Sequence, residues 1–169
     1  MSLSRLPVIV FALVAIGFTI DLALNWPSLP ARVATHFDLA GHPNGWSSRE
    51  QLLSMTAVLT ILFGCAIVGA RFIKSVSLDS LNVPNRDYWL APERSDATLE
   101  ALVAWLRWLL VFVFTFIATL ALGGVHANLR APIQFPTDTL LLFVGFLACV
   151  LVMIGWLVWR FRLPPPQTQ

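Results

Sequence analysis

Three histidines and two aspartates are the side chains of this sequence that are best suited to bind a ligand or a metal ion. His36 and Asp38 are two residues apart, so on an extended stretch both side chains point to the same face. Asp21 is the only acidic residue inside a long apolar run, and such carboxylates usually face a helix bundle or a water-filled cavity. With His42 and His126 they have the donor chemistry that divalent transition metals prefer.

Two interpretations of this group remain open. In the functional one, the group receives a ligand, and its candidate binding residues are Asp21, His36, Asp38, Gly41, His126, Asn128 and Arg130. A divalent metal on His36, Asp38 and His126 is one such ligand, although their spacing matches no standard metal motif. In the structural one, His36 and Asp38 hydrogen-bond the backbone of a compact loop. Catalytic residues stay unknown, because no nucleophile set or phosphate loop is present, and no cofactor is predicted.

A second dense run of polar and aromatic side chains lies between residues 81 and 94. We interpret it as a docking surface for a protein partner, formed by Asn85, Arg86, Asp87, Tyr88, Trp89, Glu93 and Arg94. The alternative is a structured loop in which Tyr88 and Trp89 anchor in lipid headgroups. In that case the charged side chains pair locally and contribute little stability.

The composition decides which solvent surrounds these residues. The chain has 169 residues, of which 57% are hydrophobic and 12% are charged, and its mean hydropathy is +0.77. Soluble domains carry about twice that charged fraction, and a chain this short cannot bury so many apolar side chains in one aqueous core. The bilayer is therefore the expected partner. The net charge of +2 is too small to suggest nucleic acid.

We predict an all-α polytopic membrane protein, with one four-helix transmembrane domain over residues 1–163. A spanning helix needs about 20 mostly apolar residues, and its backbone polar groups must be satisfied within the segment. Four segments meet this requirement, at residues 6–24, 52–73, 102–125 and 139–159. Two structured loops and a flexible proline-rich tail at 164–169 complete the expected architecture.

Local signals mark the ends of these helices. Ser47 and Glu50 have the spacing of a capping box, which predicts that the second span starts near Ser48. The run from His42 to Gly45 contains Pro and Asn-Gly and predicts a turn. Ser95 is the expected N-cap of the third span.

The distribution of Lys and Arg predicts the orientation in the membrane. The larger group is expected on the cytoplasmic side, and it consists of Arg5, Arg71, Lys74, Arg86, Arg94, Arg160 and Arg162, with Arg107 at the boundary. The smaller group is Arg32, Arg49 and Arg130. Both termini and residues 74–100 are then cytoplasmic, whereas residues 25–51 and 126–138 lie outside. All three histidines fall on the outer side.

Three stretches resemble a bacterial integral-membrane family, a domain of unknown function of the DUF sixteen-forty-eight type. Leu29-Pro30, Thr35-His36-Phe37-Asp38, Gly41 and Gly45-Trp46 look like its first loop. The run Asn82–Arg94 is similar to its second and most specific signature, and His126–Asn128 fits a weaker third one. Together the three cover nearly the whole chain.

The same domain resembles the N-terminal part of the immunity and signal-transducing membrane proteins of the sporulation-delaying toxin system. Those proteins protect the producing cell from a secreted peptide toxin and hold a transcriptional repressor at the membrane. The four apolar segments correspond to that N-terminal part, and we expect no further membrane domain. The resemblance therefore implies a membrane-sensor architecture in the bacterial cytoplasmic membrane.

Three functions are compatible with this sequence. The first is a non-enzymatic sensor or immunity-like protein, with an outer loop that receives a peptide or small ligand and an inner loop that docks a cytoplasmic protein. The second is a membrane enzyme or metal-binding protein with its site at the outer face. The third is an accessory subunit of a larger membrane complex.

Overall fold

The computed structural model describes residues 5–136 and 138–162 of the chain. Its α-helices are α1 (Leu6–Asn25), α2 (Arg49–Gly69), the short α3 (Arg86–Trp89), α4 (Ser95–Asn128) and α5 (Thr139–Arg162). Four of them are long and apolar enough to cross a membrane, which confirms the predicted all-α polytopic architecture. The proposed tail at 164–169 lies outside the described residues.

Helix α4 is the helix against which the other three spans pack. On one side Phe114 contacts Phe11 of α1 and Phe63 of α2, with ring centroids 4.8 Å and 5.5 Å apart. On the other side Phe116 stacks on Phe146 of α5 at 4.0 Å. The 34 residues of α4 extend over about 51 Å, at about 1.5 Å per residue. This exceeds the roughly 30 Å hydrocarbon core, so α4 links structure on both membrane faces.

The segment between α1 and α2 forms an element that the all-α prediction did not include. It is a two-stranded antiparallel hairpin of β1 (Arg32–Phe37) and β2 (Pro43–Ser48). Its inner face joins an apolar cluster with the ends of three spanning helices. Val33 is fully buried there, beside Leu22 of α1, Leu52 of α2 and Val125 of α4. The hairpin therefore sits on one end of the helix bundle.

The turn of the hairpin comes before the position that the sequence predicts. The predicted turn at residues 42–45 lies mostly in β2, and the chain reverses over Asp38–Gly41 instead. The Asp38 amide donates to the His42 carbonyl at 2.9 Å, closing a three-residue loop. Gly41 has a positive φ of 83°, as the last residue of such a loop requires.

Two helix caps also differ from the prediction, each by one residue. The N-cap of α4 is Arg94, and Ser95 is the first residue of the helix. The N-cap of α2 is Ser48, whose hydroxyl accepts from the Gln51 amide at 3.1 Å. The hydroxyl of Ser47 instead donates to the Gln51 side chain at 2.8 Å. Ser48 and Gln51 have the same capping-box spacing as Ser47 and Glu50, so the sequence alone does not decide between them.

A buried amide on α4 ties the hairpin to the bundle. The Ala34 amide of β1 donates to Asn128 Oδ1 at 2.7 Å, and Asn128 Nδ2 donates to the Ala34 carbonyl at 2.8 Å. The same Nδ2 donates to the Gly124 carbonyl at 2.8 Å. Asn128 is only 6% exposed. Asn128, at the end of a membrane helix, therefore satisfies both backbone groups of Ala34 in the strand.

Replacing Asn128 by Leu should weaken this attachment strongly. The change leaves the buried Ala34 amide and carbonyl without their partners, at about 1–3 kcal/mol for each unsatisfied group. We expect the free energy of unfolding, measured by denaturant titration in mixed micelles, to fall by about 2–4 kcal/mol. Asn44→Leu on the exposed face of β2 is the matched control. Equal losses in the two variants would contradict the role of Asn128.

Candidate functional site

An aspartate and a histidine from two different helices meet at the hairpin end of the bundle. His126 Nε2 lies 3.0 Å from Asp21 Oδ2 and 3.2 Å from Oδ1. Asn25 Nδ2, one turn along α1, donates to the same carboxylate at 3.2 Å. The side chains of Asp21 and His126 are 32% and 46% exposed. The structure thus brings together two of the candidate binding residues, at a position accessible from the surface.

A second pair lies in the hairpin turn. Asp38 Oδ1 accepts the amide of Ala40 at 2.9 Å and that of His42 at 2.8 Å, and His42 Nδ1 lies 3.5 Å from Asp38 Oδ2. The hydrogen bond from the His42 backbone, followed by that from Ala40, lowers the pKa of Asp38 below its ordinary value of 3.8. Asp38 therefore stabilises the turn of its own loop, as the structural interpretation expects.

The other candidates at this end have different surroundings. His36 is exposed, and its Nδ1 lies 3.2 Å from the Thr35 hydroxyl. Arg130 is exposed, whereas Asn128 uses its amide on the backbone of Ala34 and Gly124. Among the residues that the structure describes, no group of three His, Cys, Asp or Glu side chains is arranged to hold a metal ion. The two aspartates at this end instead contact different histidines, Asp21 with His126 and Asp38 with His42.

Beneath the hairpin is an apolar cavity that the sequence does not predict. Its volume is about 640 Å³, and it is partly open. The walls come from α2, α4 and the start of α5, and they include Met55, Leu59, Ile117, Ala121 and Phe143. The residues of β1 and the turn, including His36 and Asp38, form its polar edge. Small residues three apart on α4, at positions 118, 121 and 124, are the one signal in the sequence that points to this space.

Phe135 closes the cavity against the tip of the hairpin. Its amide donates to the Gly41 carbonyl at 2.9 Å, and its ring lies 5.0 Å from that of Phe37. A Cβ at Gly41 would lie 2.5 Å from the Phe135 carbonyl oxygen, and one at Gly123 would lie 2.8 Å from the Phe135 ring. Glycine is needed at both positions for Phe135 to approach so closely. Gly41 thus shapes the edge of the cavity through its backbone.

The candidate docking residues at the opposite end hold the last turn of α5. Asn85, which has a positive φ of 52°, donates its side-chain amide to the carbonyls of Phe161 and Arg162. Trp89 Nε1 donates to the Phe161 carbonyl at 3.1 Å. The carbonyls at a helix C-terminus have no partners within the helix. Asn85 and Trp89 supply those partners, and Trp89 is only 6% exposed.

The remaining members of this run are half-buried or exposed. Arg86 forms an ion pair with Asp79. Arg94 lies 4.1 Å above the Tyr88 ring and donates through Nε to the Tyr88 carbonyl at 2.8 Å. The side chains of Asp87 and Glu93 are exposed. The local-pairing alternative thus describes Arg86 and Arg94. Asp87 and Glu93 are the exposed charged side chains of the run for which we describe no local partner.

Residues 8–60 match the family of a domain of unknown function (DUF1648). This stretch includes Asp21, the whole hairpin and the first half of α2, which is the region of the first-loop resemblance. It stops before α3, α4 and α5. Neither the curated proteins nor the solved structures contain a significant match.

The lowered pKa of Asp38 gives a directional prediction for the turn. An aspartate whose pKa is lowered in the folded protein stabilises its loop at pH values above its ordinary pKa. This stabilisation is lost as the pH falls through the folded pKa. In an NMR titration, the His42 and Ala40 amide shifts should change with a midpoint below 3.8. Asp38→Asn should abolish the change, and the Val33 amide is the internal control. A midpoint at or above 3.8 would contradict the turn geometry.

Proposed function

We propose that this chain is a non-enzymatic membrane receptor, of the sensor or immunity-like kind, for an amphipathic extracytoplasmic peptide or small molecule. The observation that carries the proposal is the apolar cavity of about 640 Å³ under the hairpin. Small-molecule sites in proteins commonly have volumes of about 300–1,000 Å³ and are mostly apolar, with a few polar groups that orient the ligand. This cavity meets both conditions.

The shape of the cavity defines the ligand that it would take. An apolar segment of the ligand would lie along α4 beside Ile117 and Ala121, within the membrane. A polar or cationic end would remain at the edge, near His36 and the carboxylate of Asp38. The polar edge favours a ligand that enters from the aqueous side over a purely hydrocarbon molecule. The lipid chains of the bilayer are its natural competitors.

A ligand bound under the hairpin would change the conformation of the loop at the opposite face through α4. At one end α4 holds the hairpin through Asn128, and at the other Thr98 Oγ1 donates to the Trp89 carbonyl at 2.8 Å. Both loops are therefore attached to one helix. A bound ligand would change the inner face only if it favoured one of two arrangements of that helix. Asp87 and Glu93 are the exposed positions at which we place the cytoplasmic partner.

The second candidate function is a membrane enzyme or metal-binding protein at the outer rim. The observation that favours it is the contact between Asp21 and His126, since a carboxylate can orient an imidazole for proton transfer or metal ligation. Metal analysis of the purified protein, compared with the His126→Ala and His36→Ala variants, discriminates between this function and the receptor. Stoichiometric metal that is lost in a histidine variant would support this function over the receptor.

Orientation is the first prediction of the receptor proposal. We place the hairpin outside the bacterial cytoplasmic membrane, and both termini and residues 74–100 inside. In a chain with Cys65 and Cys149 replaced by Ala, Leu39→Cys should react with a membrane-impermeant maleimide in intact cells. Asp87→Cys should react only after lysis. Both positions are exposed, Leu39 to 96%, so accessibility within the fold does not separate them. The reverse pattern would contradict the proposal.

Occupation of the cavity is the second prediction. A doxyl-labelled stearic acid in nanodiscs should show an immobilised component in its electron paramagnetic resonance spectrum when the protein is present. Ala121→Phe fills the cavity and should remove at least half of that component. Ala148→Phe on α5, which is exposed and does not line the cavity, is the matched control. Absence of the component, or an equal loss in both variants, would contradict the receptor site.

A further inference from the structure

A second pocket lies at the opposite end of the bundle, between the short 3₁₀ helix that follows α2 (Ala70–Ser75) and the first half of α4. It is open and has a volume of about 510 Å³. The residues that line it are Arg71, Phe72, Lys74, Ser75, Glu100, Val103 and Arg107. Three of these side chains are cationic and one is anionic. The proposed receptor function uses none of them.

The position of Arg107 on α4 gives the depth of this pocket. Nineteen residues separate it from His126 at the hairpin end, a distance of about 28 Å along a helix. This is close to the thickness of the hydrocarbon core, about 30 Å. Arg71 and Lys74 lie at the end of the second membrane-spanning segment. The pocket therefore opens at the membrane surface opposite the hairpin, at the level of lipid headgroups.

The side chains that line the pocket carry an excess of positive charge, with three cations and one carboxylate. Lys74 forms an ion pair with Glu100, and Arg107 donates through Nε to the Ile67 carbonyl at 3.0 Å. Arg71 is exposed, with its guanidinium 5.4 Å from the Phe72 ring. The Arg71 guanidinium and the Ser75 hydroxyl are donors that can form hydrogen bonds with phosphate oxygens.

We infer that this pocket binds the phosphate group of an anionic glycerophospholipid. Basic pockets between membrane helices at headgroup depth suit such groups. Phe72, 62% exposed, provides an apolar surface beside the cations, where the glycerol and the upper acyl chains of a lipid would lie. Inorganic phosphate and glycerol phosphate could use the same donors, but they have no apolar part to place against Phe72. The structure therefore favours the lipid as the source of the phosphate.

The test measures binding of defined lipids to the full chain, delipidated in detergent, by native mass spectrometry. Phosphatidylglycerol should bind in preference to phosphatidylcholine. Arg71→Gln should weaken phosphatidylglycerol binding about fivefold, the effect of one basic side chain near the membrane surface. Glu100→Gln should strengthen it by a similar factor, because it removes the carboxylate from the pocket. A gain of binding cannot come from a folding defect.

Arg5→Gln is the matched control, because Arg5 is exposed and does not line the pocket. We expect less than a twofold change in this variant. Equal binding of both lipids, or the same loss in Arg5→Gln as in Arg71→Gln, would overturn the inference. Glycerol phosphate and inorganic phosphate are added as competitors. If either displaces phosphatidylglycerol at equal concentration, the lipid assignment is wrong and the pocket belongs to a soluble phosphate compound.

Discussion

The structure depends on one constraint, which is the cost of leaving a backbone amide or carbonyl without a partner in or near lipid. Within the spanning helices the backbone satisfies itself, but the hairpin and the end of α5 need partners from elsewhere. Asn128 supplies them for Ala34, and Asn85 and Trp89 supply them for Phe161. Among the described residues, no buried side-chain nitrogen or oxygen lacks a hydrogen-bond partner.

This constraint changes how the polar residues of the chain are understood. Asn128, Asn85 and Trp89 stand out in the sequence as candidate interaction residues because they are polar or aromatic and lie in distinctive loops. In the structure they bind the chain's own backbone. What remains accessible to a partner is the surface that they hold in place, which is the cavity edge at one end and the exposed acidic positions Asp87 and Glu93 at the other.

Hydropathy was sufficient to predict the four spans. The thickness of the membrane requires about 20 consecutive apolar residues in each span, and such runs are visible in a single sequence. The hairpin was harder to predict. Asn44-Gly45 is a strong local turn signal, yet it lies in β2, since Asp38 and Gly41 together form a better-bonded turn next to it. The capping prediction for α2 was wrong by one residue for a similar reason. Ser47 and Ser48 both have a suitable residue three positions later.

The cavity could not be predicted, because it is produced by tertiary packing. Its walls come from α2, α4 and α5, and its edge comes from a hairpin whose position depends on Asn128. The sequence analysis places Asp21 and His126 in one candidate group. Their contact itself comes from tertiary packing, since the two residues are 105 positions apart. Both features depend on the spacing between helices, to which hydropathy is insensitive.

The proposed receptor site requires the hairpin to be fixed on the bundle as the roof of the apolar cavity. Hydrogen exchange resolved to single amides, in lipid nanodiscs, tests this requirement most directly. The Ala34 amide, bonded to Asn128, and the Phe135 amide, bonded to Gly41, should exchange as slowly as the amides within α4. The Leu39 amide at the exposed tip should exchange rapidly. Fast exchange at both Ala34 and Phe135 would contradict a fixed roof and, with it, the cavity as a binding site.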